Sequence, residues 1–379
     1  MKFLHISDLH IGKRVNEFSM IEDQKYILNQ IQKIAEDEQA DGILIAGDIY
    51  DKTVPSAEAV QLFDRFLTGL SEQNRKVFAI SGNHDSAERI AFGAQLMSRS
   101  EVYVSPVYDG TVTEITLEDS YGKLHIYLLP FLKPASVRHA LEGKTDAELP
   151  ESYQDAVQAA VDRIDIKREE RNILIAHQFV TGAGRCESEE VMVGGLDNVD
   201  AEIFDAFDYV ALGHIHSPQS VGRETIRYCG TPLKYSFSES KQTKSVTIVE
   251  VKEKGRIELN TVPLVPLHDM REIRGTYLEV TARSFYEGTD TEDYIKVTLT
   301  DEEDVPDSMQ KLRIIYPNLM RLEYDNSRTR QSRAVEAVQD VEQKSKTELF
   351  AEFYELQNNT PMSDVQTEYI KQIIEDMDG

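Results

Sequence analysis

Five short apolar runs in this chain each end at carboxylate, amide or imidazole side chains. Lys2–Ile6 runs into Ser7-Asp8-Leu9-His10, Asp41–Ala46 into Gly47-Asp48, and Val77–Ile80 into Ser81-Gly82-Asn83-His84-Asp85. Asn172–Ala176 runs into His177, and Tyr209–Leu212 into Gly213-His214-Ile215-His216. Apolar runs this short are of buried-strand type, and in open α/β sheets ligands bind beyond the carboxyl ends of the strands. One Gly-Asn-His-Asp is ordinary turn chemistry. Repetition at five strand ends, using five of the nine histidines, is not.

The segments between the runs support an α/β reading. Ile27, Leu28, Ile31, Ile34 and Ala35 recur with helical period over Ile21–Glu38, and Pro55-Ser56 opens a helix with Leu62, Phe63, Phe66, Leu67 and Leu70 on one face. The resulting β-α-β-α-β order favours parallel strands with right-handed crossovers. Thr111–Leu117 and Lys123–Leu129 predict a hairpin, and the polar stretch Ser136–Arg171 is mostly helical. Ile226–Lys234 and Ser245–Val251 are expected as strands of a second sheet. Beyond Met270, strands over Thr276–Thr281, Tyr294–Thr300 and Leu319–Tyr324, with a helix over Asp307–Tyr316, predict a small α+β domain.

Asn326–Asp340 is polar enough to be a linker. Leu349, Phe350, Phe353, Tyr354 and Leu356 then form one apolar stripe, and Val365, Tyr369, Ile370, Ile373 and Ile374 form another after Thr360-Pro361. Two short helices bury two such stripes poorly against each other, so one is expected to dock elsewhere. The expected domains are 1–269, 270–325 and 326–379.

Charge narrows the function. With 67 acidic and 41 basic residues the net charge is -26, which opposes unaided binding to a phosphate polymer. A nucleic-acid substrate would need positive charge from divalent metals or from a basic partner. Only Cys186 and Cys229 occur, which fits a reducing cytoplasm, and no run approaches the ~18 apolar residues of a membrane helix.

The polar residues at the strand ends are Asp8, His10, Asp48, Asn83, His84, His177, His214 and His216. Imidazole, carboxylate and amide oxygen without thiolate suit Mn, Fe or Zn in a catalytic setting. The set exceeds what one ion needs, and Asp48, from a central strand, is the candidate bridge between two. A pair of ions ~3.5 to 4 Å apart activates a water and stabilises in-line displacement at phosphorus.

The series Asp-Leu-His at 8–10, Gly-Asp at 47–48, Gly-Asn-His-Asp at 82–85, His177 and Gly-His-Ile-His at 213–216 resembles the calcineurin-like metallophosphoesterases. The resemblance implies an α/β fold with a two-sheet β core flanked by helices and a dinuclear centre that hydrolyses phosphoesters. Carried over by position, it assigns Asp8, His10, Asp48 and His216 to one metal and Asp48, Asn83, His177 and His214 to the other. His84 is left to contact the phosphate or protonate the leaving oxygen.

Within that superfamily, Met1–Gly12, Ala46–Asp51, and Tyr228–Pro232 with Phe237 and Glu239 are similar to the nuclease subunits of SbcCD-type complexes. That likeness implies Mn2+, exonuclease action on DNA ends and endonuclease action on hairpins or single strands, with a role in DNA repair and recombination. It further implies a capping domain after Met270, docking of about 347–379 on an ATPase partner, SbcC, and a homodimer within a heterotetramer. Asp51 stands where archaeal and eukaryotic relatives carry a histidine, so it is a candidate catalytic residue whose role does not transfer. The rival readings are a protein phosphatase or cyclic-nucleotide phosphodiesterase, and a metal-stabilised scaffold.

Overall fold

Every residue from Gly42 to Ala46 is buried, although side chains alternate across a strand. This strand is covered on both faces, which is why it reads as an unbroken apolar run. The computed structural model describes residues 1–143, 149–184, 186–189 and 198–329, with isolated positions 350, 362, 366, 367 and 370. The chain forms two compact units, Met1–Arg271 and Glu272–Gly379.

Leaving aside two-residue strands and single helical turns, the first unit begins with β1 (Lys2–Ile6), α1 (Ile21–Asp37), β2 (Gly42–Ala46), α2 (Ala57–Glu72), β3 (Lys76–Ile80) and β4 (Val102–Val104). There follow β5 (Thr113–Asp119), β6 (Gly122–Leu129), α3 (Pro134–Leu141), α4 (Tyr153–Val161), β7 (Arg171–His177) and β8 (Tyr209–Gly213). It closes with β9 (Gln219–Val221), β10 (Arg223–Tyr228), β11 (Ser245–Val251) and β12 (Ile257–Pro263).

These strands make two six-stranded sheets, ordered β12-β11-β1-β2-β3-β4 and β9-β10-β8-β7-β6-β5. Each has four adjacent parallel strands, β1-β2-β3-β4 in the first and β10-β8-β7-β6 in the second, with antiparallel strands at one edge of the first and at both edges of the second. Leu44, Ala46, Phe78 and Ile80 of the first sheet share a core with Ile126, Leu128, Ile173 and Ile175 of the second. Outside the second sheet, Leu174 and Ala176 pack with Val137, Ala156, Val157 and Ala160 of α3 and α4. On α1 and α2 the buried residues are those with helical period, among them Ile27, Leu28, Ile31, Leu62, Phe63 and Phe66. Ser56 caps α2, accepting a hydrogen bond from the Ala59 N–H. The two-sheet core with helices outside is the expected fold.

Three sequence expectations change in the first unit. The motif-bearing strands do not share one sheet, because β7 and β8 belong to the second. Ser245–Val251 lies in the first sheet, antiparallel to β1 with Lys2 opposite Glu250. The strand expected over Ile226–Lys234 ends at Tyr228, before the Cys229-Gly230-Thr231-Pro232 turn.

Most of a three-stranded sheet lies in the second unit, made of β13 (Met270–Gly275), β14 (Tyr294–Leu299) and β15 (Leu319–Tyr324), the last two parallel. Ile295, Val297 and Leu299 pack with Val280, Leu312, Tyr316 and Leu319. The strand expected over Thr276–Thr281 is instead a helical turn, Tyr277–Val280. A capping box causes this: the Thr276 N–H donates to the Glu279 carboxylate at 2.7 Å, and the Glu279 N–H donates to the Thr276 hydroxyl at 3.3 Å. Most of the linker and the two C-terminal helical stripes lie outside the described residues.

Candidate metal centre

Register brings the predicted residues together. Ile6 lies beside Ile45 and Ala46 beside Ile80 in the first sheet, while His177 lies beside Gly213 in the second. All five motif strands therefore end at one edge of the two-sheet core. The turns beyond are tied by main chain, Asp8 N–H to the Gly47 carbonyl and His10 N–H to the Asp48 carbonyl, both at 3.0 Å.

Asp8, His10, Asp48 and His214 all have positive φ, at 53°, 45°, 48° and 100°. Residues with a Cβ avoid this region unless the surroundings hold them there, and such strain clusters at functional sites. Two glycines allow the close approach. A Cβ on Gly213 would run into the Ala46 carbonyl oxygen, and one on Gly82 into the Asp48 carboxylate.

The side chains converge. His10 Nε2 faces His216 Nε2 at 3.2 Å. His177 Nε2 lies 2.9 Å from Asn83 Oδ1 and 3.4 Å from Asp48 Oδ2. His214 Nδ1 lies 3.0 Å from Asn83 Oδ1, and its N–H donates to the Asp8 carboxylate. Asp8, His10 and His216 form one group with donor atoms within 4.8 Å of one another, and so do Asp8, Asp48 and His177, and His10, Asp48 and His84. Asp8, His10 and Asp48 each belong to two of these groups, so the cluster is continuous.

The donor set fits divalent ions. It is buried, mixes carboxylate, amide oxygen and imidazole, and brings two imidazole nitrogens face to face, where a cation between them satisfies both lone pairs. His10 Nδ1 is buried with no hydrogen-bond partner.

Residues 1–218 match the family model of the calcineurin-like phosphoesterases, and residues 266–358 match an SbcD C-terminal model described as the type 5 capsule protein repressor C-terminal domain. The chain is 32% identical over 383 residues to SbcD, the D component of nuclease SbcCD, from Staphylococcus epidermidis, covering 99% of this chain and 98% of that protein. It belongs to the calcineurin-like phosphoesterases, on the SbcD branch.

Two solved structures are also similar. One is a dimetal phosphatase from Danio rerio (10% identity, 70% of this chain and 98% of that one, TM-score 0.43). The other is TT1561 of Thermus thermophilus (14% identity, 69% and 98%, TM-score 0.41). Among the described residues, no helix is long and apolar enough to cross a membrane.

Electrostatics in this phosphoesterase site favour ligation. Burial holds His10 and His216 well below the usual imidazole range, so both stay neutral with a lone pair to offer. Burial pushes the Asp8 carboxyl up to about 7. Burial also pushes Asp48 upward, but attraction from His177, His10 and His84 outweighs it and leaves this carboxyl well below its ordinary value. His177 is the counterpart: burial opposes its charge, yet Asp48 raises it to about 9. An imidazolium at His177 thus balances Asp48, and a bound cation would replace its proton.

His84 joins His10 and Asp48 in one of the donor groups, while Asp51 and His5 lie outside them. His84 Nε2 lies 3.9 Å from Asp48 Oδ2, and its Nδ1 lies 3.1 Å from the Asp51 main-chain carbonyl. The Asp51 carboxylate instead accepts from Lys13 Nζ at 2.8 Å and lies 3.9 Å from His10 Nδ1. His5 is a core residue, its Nδ1 2.9 Å from the Tyr209 hydroxyl and its Nε2 3.2 Å from the Leu212 carbonyl.

Sequence reasoning left several supporting residues unassigned. Asp85 accepts from the N–H groups of Ile49, Tyr50 and Gly82 at 2.9 to 3.0 Å, tying the turn after β2 to the turn after β3. Its place in Gly-Asn-His-Asp was the available signal. The Ser7 hydroxyl donates to Asp8 at 2.5 Å. Ser188 and Glu189 sit in a stretch that reads as a plain surface loop, yet both hydrogen-bond His216.

Proposed function

We propose that this chain is a metal-dependent DNA nuclease, the nuclease subunit of an SbcCD-type complex acting in DNA repair and recombination. One observation carries the reading: seven candidate ligands meet at one edge of the two-sheet core, in a chain similar along 99% of its length to a nuclease subunit. In this reading Asp8, His10, Asp48 and His216 hold one divalent ion, and Asp48, Asn83, His177 and His214 hold the second. Manganese suits a thiolate-free set in which two carboxylates and an amide oxygen join four imidazoles. When bound, the ions supply positive charge at phosphorus and a nucleophilic water at neutral pH.

The remaining work falls to side chains of this chain. His84 Nδ1–H donates to the Asp51 carbonyl, which leaves Nε2 to face the substrate. Protonated there, His84 hands its proton to the leaving oxygen. Asp51 acts by setting the His84 ring through its carbonyl and by holding Lys13 through its carboxylate. Lys13 adds positive charge to an otherwise acidic chain.

Residues 1–269 are the nuclease domain, 270–325 the capping domain, and about 347–379 the segment that docks on SbcC. SbcC supplies the ATP-dependent step and much of the grip on DNA. A homodimer within a heterotetramer is what the likeness to that nuclease subunit implies. Both cysteines are free, which supports a cytoplasmic location.

The test is cleavage of hairpin and blunt-ended DNA with manganese, with and without SbcC and ATP. A protein that hydrolyses phosphomonoesters but cuts no DNA would overturn the nuclease reading. Removing residues 347–379 spares manganese-dependent hydrolysis of small phosphodiesters and abolishes capture of SbcC; capture that survives the deletion refutes the docking segment.

A further inference from the structure

We infer that Ser188 is a positioning residue for His216, connecting that ring to the buried carboxylate of Glu239. The inference rests on the two-metal reading above. Glu239 and Lys244 are both buried and form an ion pair at 2.5 Å beneath the site. The Lys244 ammonium also donates to the His216 carbonyl at 2.9 Å. On its other oxygen, Glu239 accepts from the Ser188 hydroxyl at 2.6 Å. That same hydroxyl oxygen lies 2.7 Å from His216 Nδ1.

Proton positions follow from the acceptor at the end of the chain. A carboxylate paired with an ammonium has no proton to give, so the Ser188 hydroxyl hydrogen points at Glu239. The serine oxygen can then only accept from the imidazole, which places the ring proton on Nδ1. His216 is thereby held as the tautomer whose Nε2 lone pair points into the cluster, where His10 Nε2 lies 3.2 Å away. Glu189 anchors the same stretch, its carboxylate accepting from the N–H groups of His216 at 2.7 Å and Cys186 at 3.1 Å. Hydrogen-bonded partners of this kind orient a metal-binding ring and raise its basicity.

His177, one of the second ion's two histidines, is oriented differently. His177 Nδ1 lies 2.8 Å from the Ala46 main-chain carbonyl, an acceptor no side-chain substitution removes. Loss of the serine hydroxyl therefore weakens one ion and spares the other.

The experiment is a manganese titration of the full-length protein by calorimetry, with metal content measured after gel filtration and thermal melts of each metal-free variant as a folding control. Wild type takes two ions. Ser188→Ala weakens one of the two binding steps by roughly 10- to 100-fold and leaves the other unchanged. Ser188→Thr, which keeps the hydroxyl, binds both as wild type does, and Glu239→Gln weakens the same single step. Coincident Ser188→Ala and wild-type titrations, both steps weakening together, or a threonine variant as weak as the alanine one would overturn the role of Ser188. Failure of wild type to bind two ions would overturn the two-metal reading instead.

Discussion

His177 Nδ1 donates to the main-chain carbonyl of Ala46 across 2.8 Å, so a side chain of the second sheet is fastened to the backbone of the first. Gly213, beside His177 in the second sheet, approaches the same carbonyl too closely for a Cβ. The two sheets are thus locked together at the edge where the candidate ligands gather.

That lock predicts the effect of Gly213→Ala. The new methyl must displace the Ala46 carbonyl, and overpacking of this kind costs about 1 to 3 kcal/mol. Urea denaturation should show a loss in that range, and manganese content should fall because His214 and His177 both move. Wild-type metal content in a stably folded variant would refute the lock.

For His84, a split between binding and chemistry is expected. In the proposed scheme it moves a proton and holds no ion, so His84→Ala should retain both ions while cleavage falls roughly 100- to 10,000-fold. Metal analysis beside a cleavage time course decides this, and a variant that loses an ion shows His84 to be a ligand.

Asp85 predicts a structural loss that propagates to the ions. Asp85→Ala strands three N–H groups, at roughly 1 to 3 kcal/mol for each that stays dry. Chemical denaturation should report about 3 kcal/mol after partial rescue by water, with weaker manganese binding. An unchanged midpoint would show that these bonds contribute nothing net.

His5 predicts part of the acid sensitivity. Burial pushes its imidazole down to about 3, from 6.5 in an unfolded chain. The unfolded state therefore binds the proton first, and stability is lost as pH falls from 6.5 towards 3. The slope from this one group is about 1.4 kcal/mol per pH unit. His5→Gln removes that proton uptake, so its stability against pH should be shallower than wild type by about that slope over this window. Parallel curves would rule the assignment out.

Much of the site is legible without coordinates because its ligands obey a local rule. Asp8, Asp48, Asn83, His177 and His214 each directly follow an apolar strand or sit within a short turn of it, and parallel strands present those ends on one edge. The same holds for α1 and α2, whose buried residues keep a 3.6-residue period. Thr276 misled because a Thr-Tyr-Leu-Glu-Val run suits a strand by composition, whereas its hydrogen bonds to Glu279 close a helical turn.

The order of residues determined the strand ends, the chemistry of the donors and the helical faces, since each depends on neighbours within about a dozen positions. Only the tertiary structure decided that β7 and β8 enter a separate sheet, that β11 returns to pair with β1, and that Ser188 reaches Glu239 across 51 residues. Such pairings are chosen by which apolar faces bury each other and which buried charges find partners. Those are properties of the packed chain, and no local pattern records them.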